Sequence, residues 1–131
     1  MSIIDACMGL IKAEETLRKQ GNGMFKGVAF ISGRFRGDNH WQIHCNVIEA
    51  EKAIPKLIRM NYIPYCPHTT TRHLQDLFSD DTFLEMCLAF IQRMNPETDI
   101  IYMVKGWSNS KGACEEHELA IHLGIEIIYE D

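Results

Sequence analysis

The chain has 131 residues, 46% of them hydrophobic, which is the composition of one globular domain large enough to bury a core. Its 13 basic and 18 acidic side chains give a formal charge of −5. This balance argues against bulk affinity for nucleic-acid polymers or acidic membranes, although it is compatible with a local pocket for one phosphate.

No apolar run approaches the roughly 18–20 residues that span a bilayer, and residues 1–20 lack a signal-peptide pattern. The five scattered cysteines contain no C-x-x-C pair, so we expect reduced thiols in a cytoplasmic protein.

Apolar residues at helical spacing predict an amphipathic helix over Ser2–Lys19, which forms an extension (residues 1–23) of a single domain covering residues 1–131. Gly27–Ile31 is a short apolar run typical of a buried strand. Two glycines and two arginines follow in loop 32–39. This composition suits an anion, because glycine lets the backbone approach and arginine offers paired donors. A solvated basic loop is the alternative.

Asp38 or Asn39 caps the next predicted helix, which reaches about residue 61 and which Pro55 kinks or divides. The strand after it covers Tyr62–Cys66, where Pro64 suggests an edge position.

Residues 67–73 are predicted to be a loop at the carboxyl end of that strand. The loop contains His68, a candidate substrate contact whose alternative role is that of a loop histidine bonded to backbone. Leu74–Phe78 predicts a helical turn, and an unusually apolar helix then runs from about Ser79 to Met94. Three acidic residues near the start of that helix either cap it and match its dipole or contact a ligand. They are Asp80, Asp81 and Glu85.

The last third of the chain predicts a strand (Asp99–Val104), a polar turn, a helix (Gly112–Leu123) and a strand (Ile125–Tyr129). Open parallel sheets bind ligands where such a turn leaves a strand, and the new helix offers free N–H groups and a positive dipole end there. Glu116 lies one turn into the helix, within reach of a ligand held at the turn. A solvated acidic face formed with Glu115 and Glu118 is the alternative.

The alternation of strands and helices predicts an α/β domain with a mainly parallel sheet and right-handed crossovers. Loops 32–39, 67–73 and 106–112 all follow strands, so we expect them to gather at one edge of the sheet.

Five sequence blocks occur in order over roughly residues 26–130. They are Ile31-Ser-Gly-Arg-Phe-Arg-Gly37, Asn46 with Ala50, Asn61-Tyr-Ile-Pro-Tyr-Cys-Pro-His68, Phe83-Leu-Glu-Met-Cys-Leu88, and Gly106-Trp-x-x-Ser110-x-Gly112-Ala-x-x-Glu116-x-x-x-Ala120 with Gly124-Ile125. In these blocks the chain resembles the nucleoside 2-deoxyribosyltransferases and their relatives, the 2-deoxynucleoside 5-monophosphate N-glycosidases. More closely, it resembles a branch of that superfamily found in bacteria and phages.

The resemblance implies a Rossmann-like or flavodoxin-like three-layer sandwich with four to five mainly parallel strands. It also implies that Glu116 is the nucleophile, which attacks C1′ of the sugar, displaces the base and releases the glycosyl group to water or to another base. Glycosidic cleavage suits a carboxylate, because the reaction passes through an oxocarbenium-like state that a nearby carboxylate stabilises before bonding to it.

Ser110, six residues before the glutamate, resembles the serine of the monophosphate N-glycosidases, where the nucleoside transferases tend to carry aspartate. Arg34 and Arg36 resemble the arginine-containing phosphate loop of the monophosphate enzymes. The resemblance therefore favours a 5′-phosphorylated ligand over a free nucleoside. The residues expected to bind substrate or phosphate are Ser32, Gly33, Arg34, Arg36, Gly37, His68, Ser110 and Gly112.

Two positions of the superfamily are not matched directly. The aromatic residue beside the first loop corresponds to Phe30 or Phe35. The aspartate that contacts sugar or base falls near Cys87, so Asp81 or Glu85 is expected to replace it. Trp107 is a further candidate contact to sugar or base.

Two functions follow from these observations. The first is hydrolysis or transfer at the N-glycosidic bond of a nucleoside 5-monophosphate through Glu116, without a metal or organic cofactor, since the histidines and cysteines lack metal-ligand spacing. The second is a non-catalytic protein of a phage or bacterium that binds or sequesters a nucleotide. A redox role for Cys114, near a helix amino end, is a further alternative. We expect a homodimer or larger homo-oligomer, because the superfamily's enzymes assemble and the two apolar helices suit an interface.

Overall fold

The computed structural model describes residues 2–9 and 25–131. Residues 3–9 are helical and exposed. The rest of the amphipathic helix predicted over Ser2–Lys19, with its glycine end, lies outside the described residues. No helix in the described part of the chain has the length and apolarity needed to cross a bilayer.

From residue 25 onward, four strands alternate with five α-helices. The strands are β1 (Gly27–Ser32), β2 (Tyr62–Tyr65), β3 (Ile100–Met103) and β4 (Glu126–Tyr129). The helices are α1 (His40–Glu51), α2 (Ala53–Arg59), α3 (Pro67–Thr71), α4 (Asp80–Gln92) and α5 (Lys111–Leu123), with a short 3-10 helix (Trp107–Asn109) before α5.

The four strands form one parallel sheet in the order β2-β1-β3-β4. In its register, Ala29 of β1 lies between Pro64 of β2 and Ile100 of β3. The chain moves outward from β1 to β2 and then crosses back to β3 on the other side of β1, so the order reverses between β1 and β3. This topology confirms the predicted α/β fold, its parallel sheet and the edge position of β2, and it places the expected ligand crevice at the carboxyl ends of β1 and β3.

Helices cover both faces of the sheet, which makes three layers. On one face, Ala29 and Ile31 pack with Ala50, Ala53 and Leu57 of α1 and α2. On the other face, Phe30, Ile101 and Met103 pack with Ile91 of α4 and with Ala113 and Ala120 of α5. Alternate residues of β1 thus enter different cores, as the two-residue period of a strand requires.

The long helix predicted after loop 32–39 is divided. The Asn39 side chain accepts from Gln42 N and caps α1, and the division falls at Lys52. Pro55 explains the break, because it has no N–H to donate to Glu51 and it is tolerated in the first turn of a new helix.

Two local predictions differ from the structure. Residues 67–73 do not form a loop throughout, because Pro67–Thr71 is the short helix α3. Pro67 occupies its first position, where a missing N–H costs nothing. Leu74–Phe78 contains hydrogen-bonded turns in place of a helical turn.

Candidate functional site

A cavity of about 460 Å³ lies at the carboxyl end of the sheet, within the size range of small-molecule sites. Its walls come from the segment after β1, from α3 after β2, from the start of α5 after β3 and from the first half of α4. The structure therefore brings together the three loops that were expected to gather, and it places them at the point where the strand order reverses.

Glu116 is the buried acidic side chain of this cavity. It projects from α5 and is only 6% exposed, and its Oε1 accepts a 2.8 Å hydrogen bond from the hydroxyl of Ser32. Burial raises the pKa of Glu116 to about 7, against the hydrogen bond from Ser32, which lowers it. A carboxyl group in this state exchanges its proton near neutral pH, as nucleophiles and general bases in active sites do.

The thiol of Cys87, on α4, lies beside the Glu116 carboxylate and also lines the cavity. Burial and the negative charge of Glu116 raise the pKa of Cys87 far above its ordinary value. This side chain is therefore a protonated, weakly polar neighbour of the carboxylate and not a second acid.

The start of α5 gives one end of the cavity a positive character. The side chain of Ser110 caps the helix by accepting from Ala113 N, while the backbone N–H groups of Lys111 and Gly112 have no acceptor among the described residues. The exposed side chains of Lys111 and Arg34 also line the cavity. Free N–H groups at a helix start together with two cations are suited to an anion.

Arg36, unlike Arg34, forms an ion pair within the described part of the chain. Its guanidinium forms an ion pair with Asp80 in the first turn of α4, and it donates a second, 3.4 Å hydrogen bond to the Gln75 carbonyl. Both members of the pair line the cavity, so the contact joins two of its walls.

His68 is buried on α3, where Nε2 donates a 2.9 Å hydrogen bond to the Arg34 carbonyl. Burial lowers the pKa of His68, so the ring is neutral at pH 7, and its Nδ1 has no hydrogen-bond partner among the described residues. Phe35 meets the ring edge-on with centroids 5.4 Å apart. His68 thus holds loop 33–36 by a backbone contact, as the alternative interpretation expected, and also forms part of the cavity wall.

The structure brings eight of the twelve predicted site residues to the cavity wall, and one more lies directly behind it. Ser32 is fully buried and faces Glu116 instead of the open space. The eight are Gly33, Arg34, Arg36, His68, Asp81, Ser110, Gly112 and Glu116.

Three predicted site residues do not line the cavity. Gly37 is packed against Gln42, and Glu85 is exposed on α4. Trp107 stacks on His117 with ring centroids 4.3 Å apart and packs against the core on that side of the sheet. The 3-10 turn that contains Trp107 directs its ring to the α5–β4 surface and away from the cavity.

Of the two aromatic candidates, Phe35 lines the cavity and Phe30 is a fully buried core residue. The sequence analysis did not single out Lys111, Thr71, Phe83 or Leu84 as site residues, although all four line the cavity. The position of Lys111 in the sequence could have indicated its role, since it lies between Ser110 and Gly112, which were both predicted to bind the ligand. The other three look like ordinary helix residues, and only the packing of α3 and α4 reveals their position.

Among the described residues, no three histidine, cysteine, aspartate or glutamate side chains converge as metal ligands. The thiol of Cys114, the candidate for a redox role, donates to the carbonyl of Ser108 at 3.5 Å. All five cysteines are free thiols.

The fold and the site define a flavodoxin-like α/β protein with a ligand-sized cavity at the switch point of its sheet. Residues 30–129 match the model of the family described as Domain of unknown function (DUF4406), so the chain belongs to that family. Searches of curated proteins and of solved structures gave no match.

Proposed function

We propose that this protein catalyses hydrolysis or transfer at the N-glycosidic bond of a nucleoside 5-monophosphate or related nucleotide, with Glu116 as the nucleophile. The observation that carries the proposal is the position of the Glu116 carboxylate, buried on the wall of the cavity and fixed by Ser32. The resemblance to the nucleoside 2-deoxyribosyltransferase superfamily, which places its nucleophile at the same position, supports the same assignment.

The environment of Glu116 suits this chemistry. A carboxylate withdrawn from water interacts strongly with positive charge that develops at C1′ as the base departs with the bonding electron pair. The ionised oxygen then bonds to C1′, and water or a second base displaces it from the glycosyl-enzyme. Because burial raises the Glu116 pKa to about 7, the ionised form is present near neutral pH and increases as the pH rises.

The part of the cavity wall at the amino end of α5 is suited to the 5′-phosphate. Lys111, Arg34 and the amino end of α5 supply positive charge and N–H donors. Phe35, Phe83 and Leu84 supply apolar wall for a sugar or base. The cavity thus combines an anion-binding end, an apolar wall and a single buried carboxylate.

Base release is the decisive experiment. The purified protein is incubated with a panel of nucleoside monophosphates and deoxymonophosphates, and free base is measured by chromatography. Glu116→Gln is expected to decrease the rate of base release at least a hundredfold. Glu115→Gln makes the same chemical change at a neighbouring position outside the cavity wall and should retain base release. Equal release by Glu116→Gln and the unsubstituted protein would refute the assignment.

A second function, nucleotide binding without turnover, is favoured by one observation. The side chain beside Glu116 is the Cys87 thiol, whose raised pKa leaves it protonated, so the aspartate that contacts sugar or base in the related enzymes is absent from that position. In this case the unsubstituted protein releases no base, and Glu116→Gln still binds the nucleotide.

The homo-oligomer remains a prediction. It is supported by the outer face of α4, where Met86 is 51% exposed, and by the exposed Ile3, Ile4 and Met8 near the amino terminus. Sedimentation at micromolar concentration tests it, and a monomer alone would contradict it.

A further inference from the structure

The Arg36–Asp80 ion pair joins two walls of the cavity. Arg36 belongs to the segment after β1 and Asp80 to the first turn of α4, and the contact between Nε and Oδ1 joins these two walls through opposite charges. The side chains are 43% and 63% exposed, so water screens their attraction and the pair is readily broken.

We propose that Asp80 competes with the ligand for Arg36, and that a phosphate dianion in the cavity displaces Asp80 from the guanidinium. Asp80 then determines the charge that a ligand must carry. The proposal rests on the proposed function for the identity of the anion as a phosphate monoester, but it concerns binding and is independent of turnover.

The geometry of the pair favours such an exchange. Asp80 contacts Arg36 through a single nitrogen, whereas a phosphate offers several oxygens to the guanidinium and carries about two negative charges. An uncharged nucleoside has no anionic group that could replace the Asp80 carboxylate at Arg36, so it leaves the ion pair intact. A phosphate monoester gains Arg36 in addition to Arg34 and Lys111.

The chain provides a matched control. Asp80 and Asp81 both lie in the first turn of α4 and both line the cavity, but the ion pair with Arg36 involves Asp80 alone. Replacing either aspartate by asparagine removes one negative charge from the same wall. A general electrostatic gain in anion binding is therefore common to both variants, and release of Arg36 is specific to Asp80→Asn.

The test measures binding of one deoxynucleoside 5′-monophosphate and of the matching deoxynucleoside by calorimetry. All proteins carry Glu116→Gln so that no substrate is consumed, and circular dichroism verifies that each is folded. Asp80→Asn is expected to bind the monophosphate about fivefold more tightly than Asp81→Asn, with equal affinities for the deoxynucleoside. Adding Arg36→Gln should remove the difference between the two asparagine variants.

The outcomes separate this inference from the proposed function. Equal effects of Asp80→Asn and Asp81→Asn, or weaker binding by Asp80→Asn, would overturn the competition even if the unsubstituted protein releases base. Tighter binding by Asp80→Asn in a protein that releases no base would sustain the competition and overturn the glycosidase. A protein that binds no monophosphate in any variant would overturn both.

Discussion

The hydroxyl of Ser32 donates a 2.8 Å hydrogen bond to Oε1 of Glu116 and so joins the end of β1 to α5 across 84 positions of the chain. A hydrogen bond to an ionised carboxylate stabilises the ionised form. Burial raises the pKa of Glu116 and the hydrogen bond from Ser32 lowers it, and the resulting value is about 7.

Replacing Ser32 by alanine should raise the pKa of Glu116 further, by about one pH unit, because a donor to the charged form is lost. If Glu116 is the nucleophile, kcat/KM for base release increases as pH rises through 7, and its midpoint lies higher in Ser32→Ala. The pH profile of both proteins measures this shift. Ser108→Ala, an exposed change outside the cavity wall, should leave the midpoint in place, and an unmoved midpoint in Ser32→Ala would contradict the prediction.

Stability should also depend on the ionisation of Glu116. Its folded pKa of about 7 lies above the ordinary 4.5, so the folded protein holds this proton more tightly than the unfolded chain does. The stabilisation is fully present below pH 4.5 and is lost as pH rises through 7. Glu116→Gln has no proton to lose, and its free energy of unfolding relative to the unsubstituted protein should increase by up to about 3 kcal/mol between about pH 5 and pH 8.5.

Urea denaturation at the two pH values measures that difference. Glu118→Gln serves as the control, because Glu118 is exposed and lies outside the cavity wall. A relative stability of Glu116→Gln that stays constant with pH would show that this carboxyl group has an ordinary proton affinity.

Gly112→Ala should separate stability from binding. A methyl group there would lie 3.7 Å from Leu84 Cδ1, an ordinary contact, and alanine favours helix by up to about 1 kcal/mol over glycine. We therefore expect unchanged or increased thermal stability. The same methyl group occupies the cavity wall beside the free N–H groups, so nucleotide affinity should fall about tenfold or more. Calorimetry and thermal denaturation of one sample test both, and full affinity would show that the glycine is not needed for the ligand.

Gly33→Ala, in contrast to Gly112→Ala, should decrease the stability of the fold. Its Cβ would lie 2.9 Å from Cβ of Val104, which is closer than packed carbon atoms allow, so the ends of β1 and β3 must separate. A loss of about 1–3 kcal/mol is expected from such overpacking. Gly9→Ala is the control, because an added Cβ there would meet no atom of the described residues within 4 Å beyond its chain neighbours and its own helix backbone. Equal denaturation midpoints for the two variants would contradict this account.

The sequence predicted the fold well because the signals for it are local. The apolar runs of β1 and β3, the cap at Asn39 and the glycine after α5 each mark an element without reference to distant residues. The short helix α3 was missed, since Pro67-His-Thr-Thr-Thr71 has no apolar period and obtains its place from contacts with α1 and β1.

The site was less predictable than the fold because its geometry depends on packing. The spacing after β3 indicated Glu116 and Ser110, but a strand pattern cannot show whether Ser32 faces a ligand or a carboxylate 84 positions away. The sequence pattern also treated Arg34 and Arg36 alike, whereas the approach of α4 pairs the second with Asp80. The direction of the Trp107 ring depended in the same way on α5 and β4.

Strand β1 is hydrogen-bonded at both ends to acidic side chains from later parts of the chain. At its start, the carboxylate of Asp99 accepts a 2.8 Å hydrogen bond from Val28 N, and at its end Glu116 accepts from Ser32. Central strands held in this way belong to the last regions to open in the native state. The amides of β1 should therefore be among the slowest to exchange with deuterium, while the segment 33–39 exchanges early. Any widening of the cavity then comes from movement of its surrounding loops over a rigid sheet.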